Sequence, residues 1–215
     1  MSSEVRFELR EHGFWRQKDP KPFNYDTKYK AAQQTTPEMV HLRMGFLMSV
    51  FRPEALANMR AVDIGSGNGA FVKTAGRAFG ALKPYDLAGE SITRKELEYT
   101  EWDLICLTDV LEHMWDIEDL FKLKWHYCYI SIPETPPLHS WEDLKGWRHY
   151  KPDEHVWMLN ERGLCTWLQR RGCGIMRVGN PEDIIRRPPQ GLSRNIASVI
   201  AVDLKRTLYD RIQKN

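Results

Sequence analysis

The segment from residue 60 to residue 73 constrains the fold of this chain more than any other. It begins with a short apolar run, residues 61–64, and passes through three glycines into residues 70–75, which have the composition of a helix start. Glycine allows positive φ angles and lets a ligand approach the backbone closely. The first turn of a helix offers N–H groups and the positive end of the helix dipole. A strand, a glycine turn and a helix in this order predict half of a nucleotide-binding βαβ unit.

The acidic neighbours of this turn indicate which ligand it holds. The spacing is G-x-G-x-G rather than the dinucleotide pattern G-x-G-x-x-G, and Asp63 lies two residues before the first glycine. A carboxylate there repels a pyrophosphate and attracts an ammonium group. Asp86 lies about 20 residues beyond the turn, at the end of a predicted second strand, where an acid can bind ribose hydroxyls. A plain turn or cap residue is the alternative for Asp86. An amino acid joined to a nucleoside therefore fits better than NAD.

Three segments resemble those of a known family. Residues 62–69, VDIGSGNG, are similar to the first motif of the class I S-adenosylmethionine (SAM) dependent methyltransferases. Residues 102–116, WDLICLTDVLEHMWD, and 129–136, YISIPETP, resemble the fourth and fifth strands of that family. The resemblance covers roughly residues 40–204. It implies an α/β fold with a Rossmann-like, doubly wound, mostly parallel sheet that has an antiparallel C-terminal strand, arranged as an α/β/α sandwich.

The resemblance also implies how SAM is held. By motif match, the amino-acid end of SAM is held by Asp63, Gly65, Ser66, Gly67 and Gly69. Asp86 binds the ribose, and Asp109 and Val110 lie near the sulfonium. The family often has a further strand and helix after the second strand. Here residues 91–100 leave room for one short helix only, so the adenine-binding residue stays unassigned.

Three histidines are candidates for a general base: His113, His149 and His155. A hydroxyl acceptor benefits from a base, and histidine suits this role at neutral pH. O-methylation is favoured by exclusion, because the chain has neither an N-P-P-Y-like amine motif nor a Pro-Cys pair for cytosine C5 chemistry. A structural or solvent-facing role is the alternative for each histidine taken singly.

A divalent metal is the less favoured alternative. Asp109, Glu112 and His113 have D-x-x-E-H spacing, which resembles the E-x-x-E-H of small-RNA 2′-O-methyltransferases and ubiquinone-pathway O-methyltransferases. The resemblance implies that these residues, with His155 as a further ligand, bind a metal beside the acceptor hydroxyl. Asp109 departs from the pattern by one methylene, and many methyltransferases carry this phrase without a metal.

The acceptor side is predicted from residues 138–157, which are rich in Trp and His, and from Arg186 and Arg187, which suit a phosphate or carboxylate. The favoured acceptor is a small molecule, a hydroxyl of a sugar or nucleotide-linked sugar. A nucleic-acid methyltransferase is one alternative, opposed by a net charge of only +2, although Arg170 and Arg171 could extend a local basic patch. A non-catalytic SAM-binding or scaffold protein is another.

The remaining chain predicts the domain organisation. Residues 1–38 are expected to form an N-terminal arm, packed on the surface or acting as a lid with Tyr25 and Tyr29 facing the ligand, and residues 39–215 a single methyltransferase domain. Thr36 and Asn160 are predicted helix N-caps. No apolar run of about 18 residues and no signal peptide occur, so a cytoplasmic protein without membrane contact is expected, with four free cysteines.

Overall fold

The computed structural model of the chain describes residues 6–24, 35–87 and 91–207. Within these residues the strands are β1 (Phe7–Leu9), β2 (Trp15–Gln17), β3 (Arg60–Ile64), β4 (Ala81–Tyr85), β5 (Glu101–Thr108), β6 (Lys124–Pro133), β7 (Trp157–Met158), β8 (Cys173–Gly179) and β9 (Ile196–Asp203). The α-helices are α1 (Pro37–Met48), α2 (Pro53–Leu56), α3 (Ala70–Ala75), α4 (Arg94–Tyr99) and α5 (Glu161–Arg170). Short 3-10 helices lie at Glu11–Gly13, Gly76–Ala78, Leu111–His113, Ile117–Lys122, Trp141–Gly146 and Pro181–Ile184.

Side-chain caps start the helices where the sequence predicts them. The Thr36 hydroxyl accepts from the Met39 N–H at 3.4 Å, with Pro37 as the first residue of α1. The Asn160 side chain accepts from the Gly163 N–H at 2.8 Å at the start of α5. These residues satisfy backbone donors that have no partner within the helix. The structure confirms both predicted starts.

Six strands form the central sheet in the order β4-β3-β5-β6-β9-β8. Strands β4, β3, β5 and β6 are parallel, and β9 runs antiparallel to both of its neighbours. This arrangement confirms the predicted Rossmann-like fold with its antiparallel C-terminal strand. The chain leaves β3 toward β4 on one side and returns with β5 on the other. Ligands of such sheets bind in the crevice at this switch point, outside the carboxyl ends of the strands.

The two faces of this sheet are covered by separate hydrophobic clusters. Side chains alternate over residues 104–107 of β5, so that Ile105 and Leu107 belong to one cluster and Leu104 and Cys106 to the other. Helix α5 supplies the first cluster with Leu164, Trp167 and Leu168. Helices α1 and α3 supply the second with Val40, Phe46, Leu47, Phe71 and Ala75. Burial on both faces explains the nearly continuous apolar runs of the central strands.

The N-terminal region contributes a second, smaller sheet. Strands β1 and β2 form an antiparallel hairpin, and β2 pairs with β7, about 140 residues further along the chain. Phe14, at the end of the hairpin loop, is 1% exposed and packs in the same cluster as α5. The sequence did not predict this hairpin. The proposed lid residues Tyr25 and Tyr29 lie outside the described residues.

None of the helices in the described part of the chain is long and apolar enough to cross a membrane.

Candidate active site

A cavity of about 720 Å³ opens at the carboxyl ends of the parallel strands. Most of the predicted cofactor residues line it: Asp63, Gly65, Ser66, Gly67, Asp86, Asp109 and Val110. The predicted catalytic histidines line it as well: His113, His149 and His155. Gly69, the N-cap residue of α3, is not in this wall. The cavity therefore joins the glycine turn to the histidine-rich segment.

The glycine turn is fixed by backbone hydrogen bonds and by a close side chain. The N–H groups of Gly65 and Ser66 donate to the Tyr85 carbonyl at 2.8 and 3.1 Å. Gly65 has a φ of +68°, and a Cβ there would lie 2.4 Å from Cγ2 of Val110. Both the backbone conformation and the lack of space require glycine at this position. The turn and the loop after β5 are thus packed together.

Asp63 is a buried acid that suits a cationic ligand. It is 3% exposed. Burial raises the pKa of Asp63 to about 7, the nearby Asp86 adds to the rise, and Arg43 opposes it. An ammonium group beside Asp63 would favour the ionised carboxylate. The environment of Asp63 is thus compatible with the predicted ammonium partner.

Asp86 closes the turn from the second strand. Its carboxylate accepts a hydrogen bond from the Gly67 N–H at 2.8 Å. Two oxygens and a position in the cavity wall allow it to accept further bonds from ribose hydroxyls. The predicted ribose role and the alternative cap role are therefore compatible in one residue.

Asp109 has an unusual backbone conformation and forms ion pairs with two arginines. Its φ is +55°, a conformation that is rare outside glycine. Arg186 donates to its two carboxylate oxygens at 2.8 and 2.7 Å, and Arg43 donates at 3.2 Å. Burial alone raises the pKa of Asp109, but Arg186 and Arg43 outweigh that effect and lower it. Asp109 is thus an ionised residue whose oxygens are engaged by two arginines.

Arg43 and Glu182 are residues of this region that sequence reasoning missed. They are 1% and 0% exposed, and the Arg43 Nε–H donates to Glu182 at 2.9 Å. In the sequence, Arg43 resembles any polar residue of an amphipathic helix, and the two residues are 139 positions apart. No local pattern could have joined them. Their pairing became visible only when α1 and the helix Pro181–Ile184 were placed against the sheet.

His113 has a defined tautomer. Its Nδ1 lies 2.9 Å from the Glu154 carbonyl oxygen, and a carbonyl only accepts, so Nδ1 carries the hydrogen. The lone pair of the neutral ring is then on Nε2. The His155 ring stands nearly perpendicular to it, with 4.7 Å between ring centres. Burial lowers the pKa of His113 and lowers the pKa of His155 to about 2, so both rings are neutral at pH 7.

His149 is oriented by Asn195. The Asn195 Nδ2 donates to the Arg186 carbonyl at 2.6 Å, which directs Oδ1 toward His149. The His149 Nε2 donates to that oxygen at 2.8 Å. Burial lowers the pKa of His149 to about 4. The acceptor end of the cavity therefore contains three neutral imidazoles.

Three residues of this wall have the geometry of a metal site. Glu112, His113 and His155 each offer one ligand atom within 4.8 Å of the others. Within the described part of the chain, both Glu112 oxygens and the His155 Nδ1 are buried without a hydrogen-bond partner. Two imidazoles and a carboxylate are ligands that Zn²⁺ and related transition metals accept. These residues fit a divalent ion, whereas Asp109, predicted as a ligand, is not part of the group.

Comparison with known proteins identifies the family. A family model described as a methyltransferase domain matches residues 31–178, more than half of the chain. The chain belongs to this methyltransferase family. Its cofactor is SAM, as predicted. A search of curated protein sequences finds no significant match.

Solved structures of other methyltransferases share the fold. A SAM-dependent methyltransferase from Archaeoglobus fulgidus is 17% identical, with a TM-score of 0.53 over 83% of this chain and 100% of its own. Magnesium protoporphyrin IX methyltransferase from Synechocystis, with bound SAH, is 16% identical, with a TM-score of 0.52 over 86% of this chain and 90% of its own. A methyltransferase from Clostridium acetobutylicum is 10% identical, with a TM-score of 0.55 over 81% and 94%. At these identities the likeness concerns the fold alone.

The basic loop, which contains Arg186 and Arg187, does not have the role predicted for it in this methyltransferase. Arg186 was predicted to meet a phosphate or carboxylate of the acceptor, but its guanidinium is bound to Asp109 and Glu182. Arg187 is exposed and does not line the cavity. The loop therefore builds the wall of the methyltransferase site rather than offering two cations to an acceptor.

Proposed function

We propose that this methyltransferase transfers the methyl group of SAM to a hydroxyl group of a small-molecule acceptor, an uncharged sugar being the favoured class. The observation that carries the proposal is the meeting of His113, His149 and His155 in one cavity with the glycine turn. Cofactor and acceptor ends of a transferase must share a cavity, since the reacting atoms must be aligned.

The cofactor end is assigned to residues near the turn. Asp63 binds the ammonium group, and the backbone of residues 65–67 surrounds the amino-acid part. Asp86 binds the ribose, and Val110 lies near the sulfonium. All these residues line the cavity, and Asp63 has the burial that makes a cationic partner favourable.

His113 is the favoured general base. When bound, SAM supplies an electrophilic methyl group on a sulfonium. The acceptor oxygen would form the new bond to that methyl as the carbon–sulfur bond breaks, with S-adenosylhomocysteine as the leaving group. His113 Nε2 takes up the hydroxyl proton, because its Nδ1 hydrogen is directed to the Glu154 carbonyl. The neutral ring can accept this proton at pH 7, and such a base contributes roughly 10²- to 10⁴-fold in rate.

The charges in the wall favour an uncharged acceptor. In the described part of the cavity, each lining Lys or Arg side chain is ion-paired with an acid: Arg43 and Arg186 with Asp109 and Glu182, Arg94 with Glu98, Lys122 with Asp119, and Lys151 with Glu154. An anionic acceptor would have to compete for these cations. The same argument ranks a free sugar above a nucleotide-linked sugar, which carries phosphates.

A nucleic-acid acceptor is less favoured for a related reason. Three of the four arginines of the predicted basic patch are in ion pairs, Arg170 with Glu11, Arg171 with Glu118 and Arg186 with Asp109. A polyanion binds to uncompensated positive charge. The net charge of +2 gives no additional attraction.

A metal-dependent form of the same transfer is a second candidate, favoured by the Glu112 carboxyl group, whose two buried oxygens have no hydrogen-bond partner among the described residues. Glu112, His113 and His155 would hold the ion, which when bound supplies a Lewis acid that lowers the pKa of a coordinated hydroxyl. Metal analysis of the purified protein separates the two forms. Stoichiometric metal that Glu112→Gln abolishes supports this candidate, whereas metal-free protein with full activity in EDTA rejects it.

The proposed function is tested by following S-adenosylhomocysteine release against free sugars, sugar phosphates, nucleotide sugars and oligonucleotides. The uncharged sugars are expected to support turnover. His113→Asn should lower kcat roughly 10²- to 10⁴-fold, with SAM affinity unchanged. The matched control is His126→Asn, on β6 and outside the cavity wall. Turnover with oligonucleotides alone, or full activity of His113→Asn, would reject the proposal.

A further inference from the structure

Four charged side chains form a cluster at the cavity wall, which we call the arginine–carboxylate cluster: Arg43, Asp109 and Arg186 line the cavity, and Glu182 lies behind them. Arg43 donates to Glu182 through Nε at 2.9 Å and through Nη2 at 3.1 Å. Arg186 donates to Glu182 at 3.2 Å, and both arginines donate to Asp109. The members come from α1, the end of β5, the helix Pro181–Ile184 and the loop after it. One cluster thus connects four separate segments.

The burial of this cluster indicates a role other than stability. Arg43 and Glu182 are 1% and 0% exposed. Charges lose their hydration when they are buried, and replacing buried ion pairs by apolar side chains is often neutral or stabilising. Ser131 adds a hydrogen bond to Glu182 at 3.1 Å, so the carboxylate is held in one orientation. A cluster of this kind fixes geometry more than it lowers the free energy of the fold.

On the cofactor side, the cluster determines where Val110 lies. The two arginines hold the Asp109 carboxylate while its backbone has a φ of +55° and its N–H donates to the Ser131 carbonyl at 2.9 Å. The next residue, Val110, packs so closely on Gly65 that a Cβ there would come within 2.4 Å. A change in the position of Asp109 must therefore move Val110 against the glycine turn.

On the acceptor side, the cluster reaches His149. The Arg186 carbonyl accepts from Asn195 Nδ2 at 2.6 Å, and Asn195 Oδ1 accepts from His149 at 2.8 Å. The Asp183 carboxylate accepts from the backbone N–H groups of Asn195 and Ile196 at 3.0 and 2.8 Å. Hydrogen bonds through Arg186 and Asn195 therefore connect Asp109 to the imidazole of His149: the Arg186 guanidinium binds Asp109, and its carbonyl binds Asn195.

We infer that the arginine–carboxylate cluster positions the SAM turn and the acceptor wall relative to each other, and that Glu182 is its central positioning residue. Glu182 contacts both arginines and Ser131, is fully buried and is not part of the cavity wall. It cannot touch a ligand. Any effect of Glu182 on ligand binding must therefore pass through its partners Arg43 and Arg186 and through Asp109, which both arginines hold. The acceptor part of this inference depends on the proposed function, whereas the SAM part does not.

The test compares two Glu→Gln variants of the full chain by calorimetric titration with SAM. Glu182→Gln keeps the size of the side chain and removes the charge that both arginines share. It should weaken SAM binding roughly 3- to 30-fold, the usual size of a coupling effect. Glu118→Gln is the matched control, because Glu118 accepts from the buried Trp167 and pairs with Arg171, outside the cavity wall. It should leave the SAM Kd unchanged.

A second variant covers the case in which Glu182→Gln does not fold. Ser131→Ala removes the hydrogen bond to Glu182, together with the one that Ser131 accepts from the Ser198 hydroxyl, and should weaken SAM binding in the same direction by a smaller factor. Folded Glu182→Gln, or folded Ser131→Ala in its place, with a wild-type SAM Kd would overturn the inference. Because SAM titration needs no acceptor, failure to find a hydroxyl substrate would leave this result intact.

Discussion

The two ends of the cavity are built from different kinds of contact. At the cofactor end, the N–H groups of Gly65 and Ser66 donate to the Tyr85 carbonyl, so the turn is held by the backbone. At the acceptor end, side chains from distant segments hold one another, as His149 and Asn195 do across 46 positions. A site held by backbone hydrogen bonds depends on few side chains, whereas the geometry of a site held by side chains changes when any one of them is replaced. The comparison explains why the sequence of the turn predicts the methyl donor, whereas no comparable local motif predicts the acceptor.

The two ends also differ in their electrostatics. Asp63 at the cofactor end is a buried acid whose pKa burial raises to about 7, so it gains from a cationic ligand. The histidines at the acceptor end have pKa values lowered by burial, so they remain neutral at pH 7. The two environments therefore suit a cation at one end and an uncharged group at the other, as the proposed function requires.

The largest expected effect comes from breaking the electrostatics of the cofactor end. Asp63→Asn removes the charge that faces the ammonium group of SAM, and loss of one partner of a buried charged pair should weaken binding by roughly 100-fold. Calorimetric titration with SAM measures the Kd. Asp103→Asn is the control, since Asp103 accepts from the Arg60 N–H at the opposite ends of the strands. Equal SAM affinity in the two variants would remove Asp63 from the site.

A smaller effect is expected from crowding the backbone of the turn. Gly65→Ala places a Cβ against Val110 at a positive φ, which should cost about 1–3 kcal/mol of unfolding free energy and weaken SAM binding about tenfold. Urea unfolding and SAM titration measure the two effects. Gly76→Ala is the matched control, because its φ is −54° and a Cβ there meets no atom within 4 Å. If both alanine variants behave alike, the close packing of Val110 is not a property of the molecule in solution.

The pH dependence of SAM affinity sharpens the electrostatic comparison. The pKa of Asp63 is raised from 3.8 to about 7, so the ligand-free carboxylate becomes protonated as the pH falls below 7. SAM affinity should then decrease by up to about tenfold per pH unit, because the ammonium group binds only the ionised form. Titrations between pH 5.5 and 7.5 in one ionic strength measure this. Asp63→Asn should abolish the slope, and an unchanged slope in that variant would assign it to another group.

The smallest effect is expected at the basic loop. Arg187→Ala removes an exposed guanidinium that lies outside the cavity wall, so turnover should stay within about twofold of wild type. Initial rates under saturating SAM measure this. A large rise in KM for the acceptor would instead support the original prediction that this loop binds an anion.

Local sequence signals predicted much of the fold. The caps Thr36 and Asn160, the apolar strands and the glycine turn depend on contacts within a few residues, and each appears in the structure where it was predicted. The three histidines were named from the sequence as separate candidates for a general base, and in the structure they line one cavity. The sequence did not predict which charged residues form ion pairs between segments that are far apart in the chain.

Arg43 and Glu182 illustrate that limit. Each has an ordinary local context, and only the packing of α1 and the helix Pro181–Ile184 against the sheet brings them together. The hairpin of β1 and β2 was missed for a similar reason, since its partner β7 is only two residues long and far along the chain. Long-range pairing depends on tertiary structure, which short patterns do not encode.

A crystal structure with bound SAM tests the central claim most directly, because it locates both ends of the cavity with one ligand. The account predicts the ammonium group at Asp63, the ribose at Asp86 and the methyl group directed toward His113 and His155. A methyl group directed away from the histidines, or SAM bound outside the 65–67 turn, would contradict it.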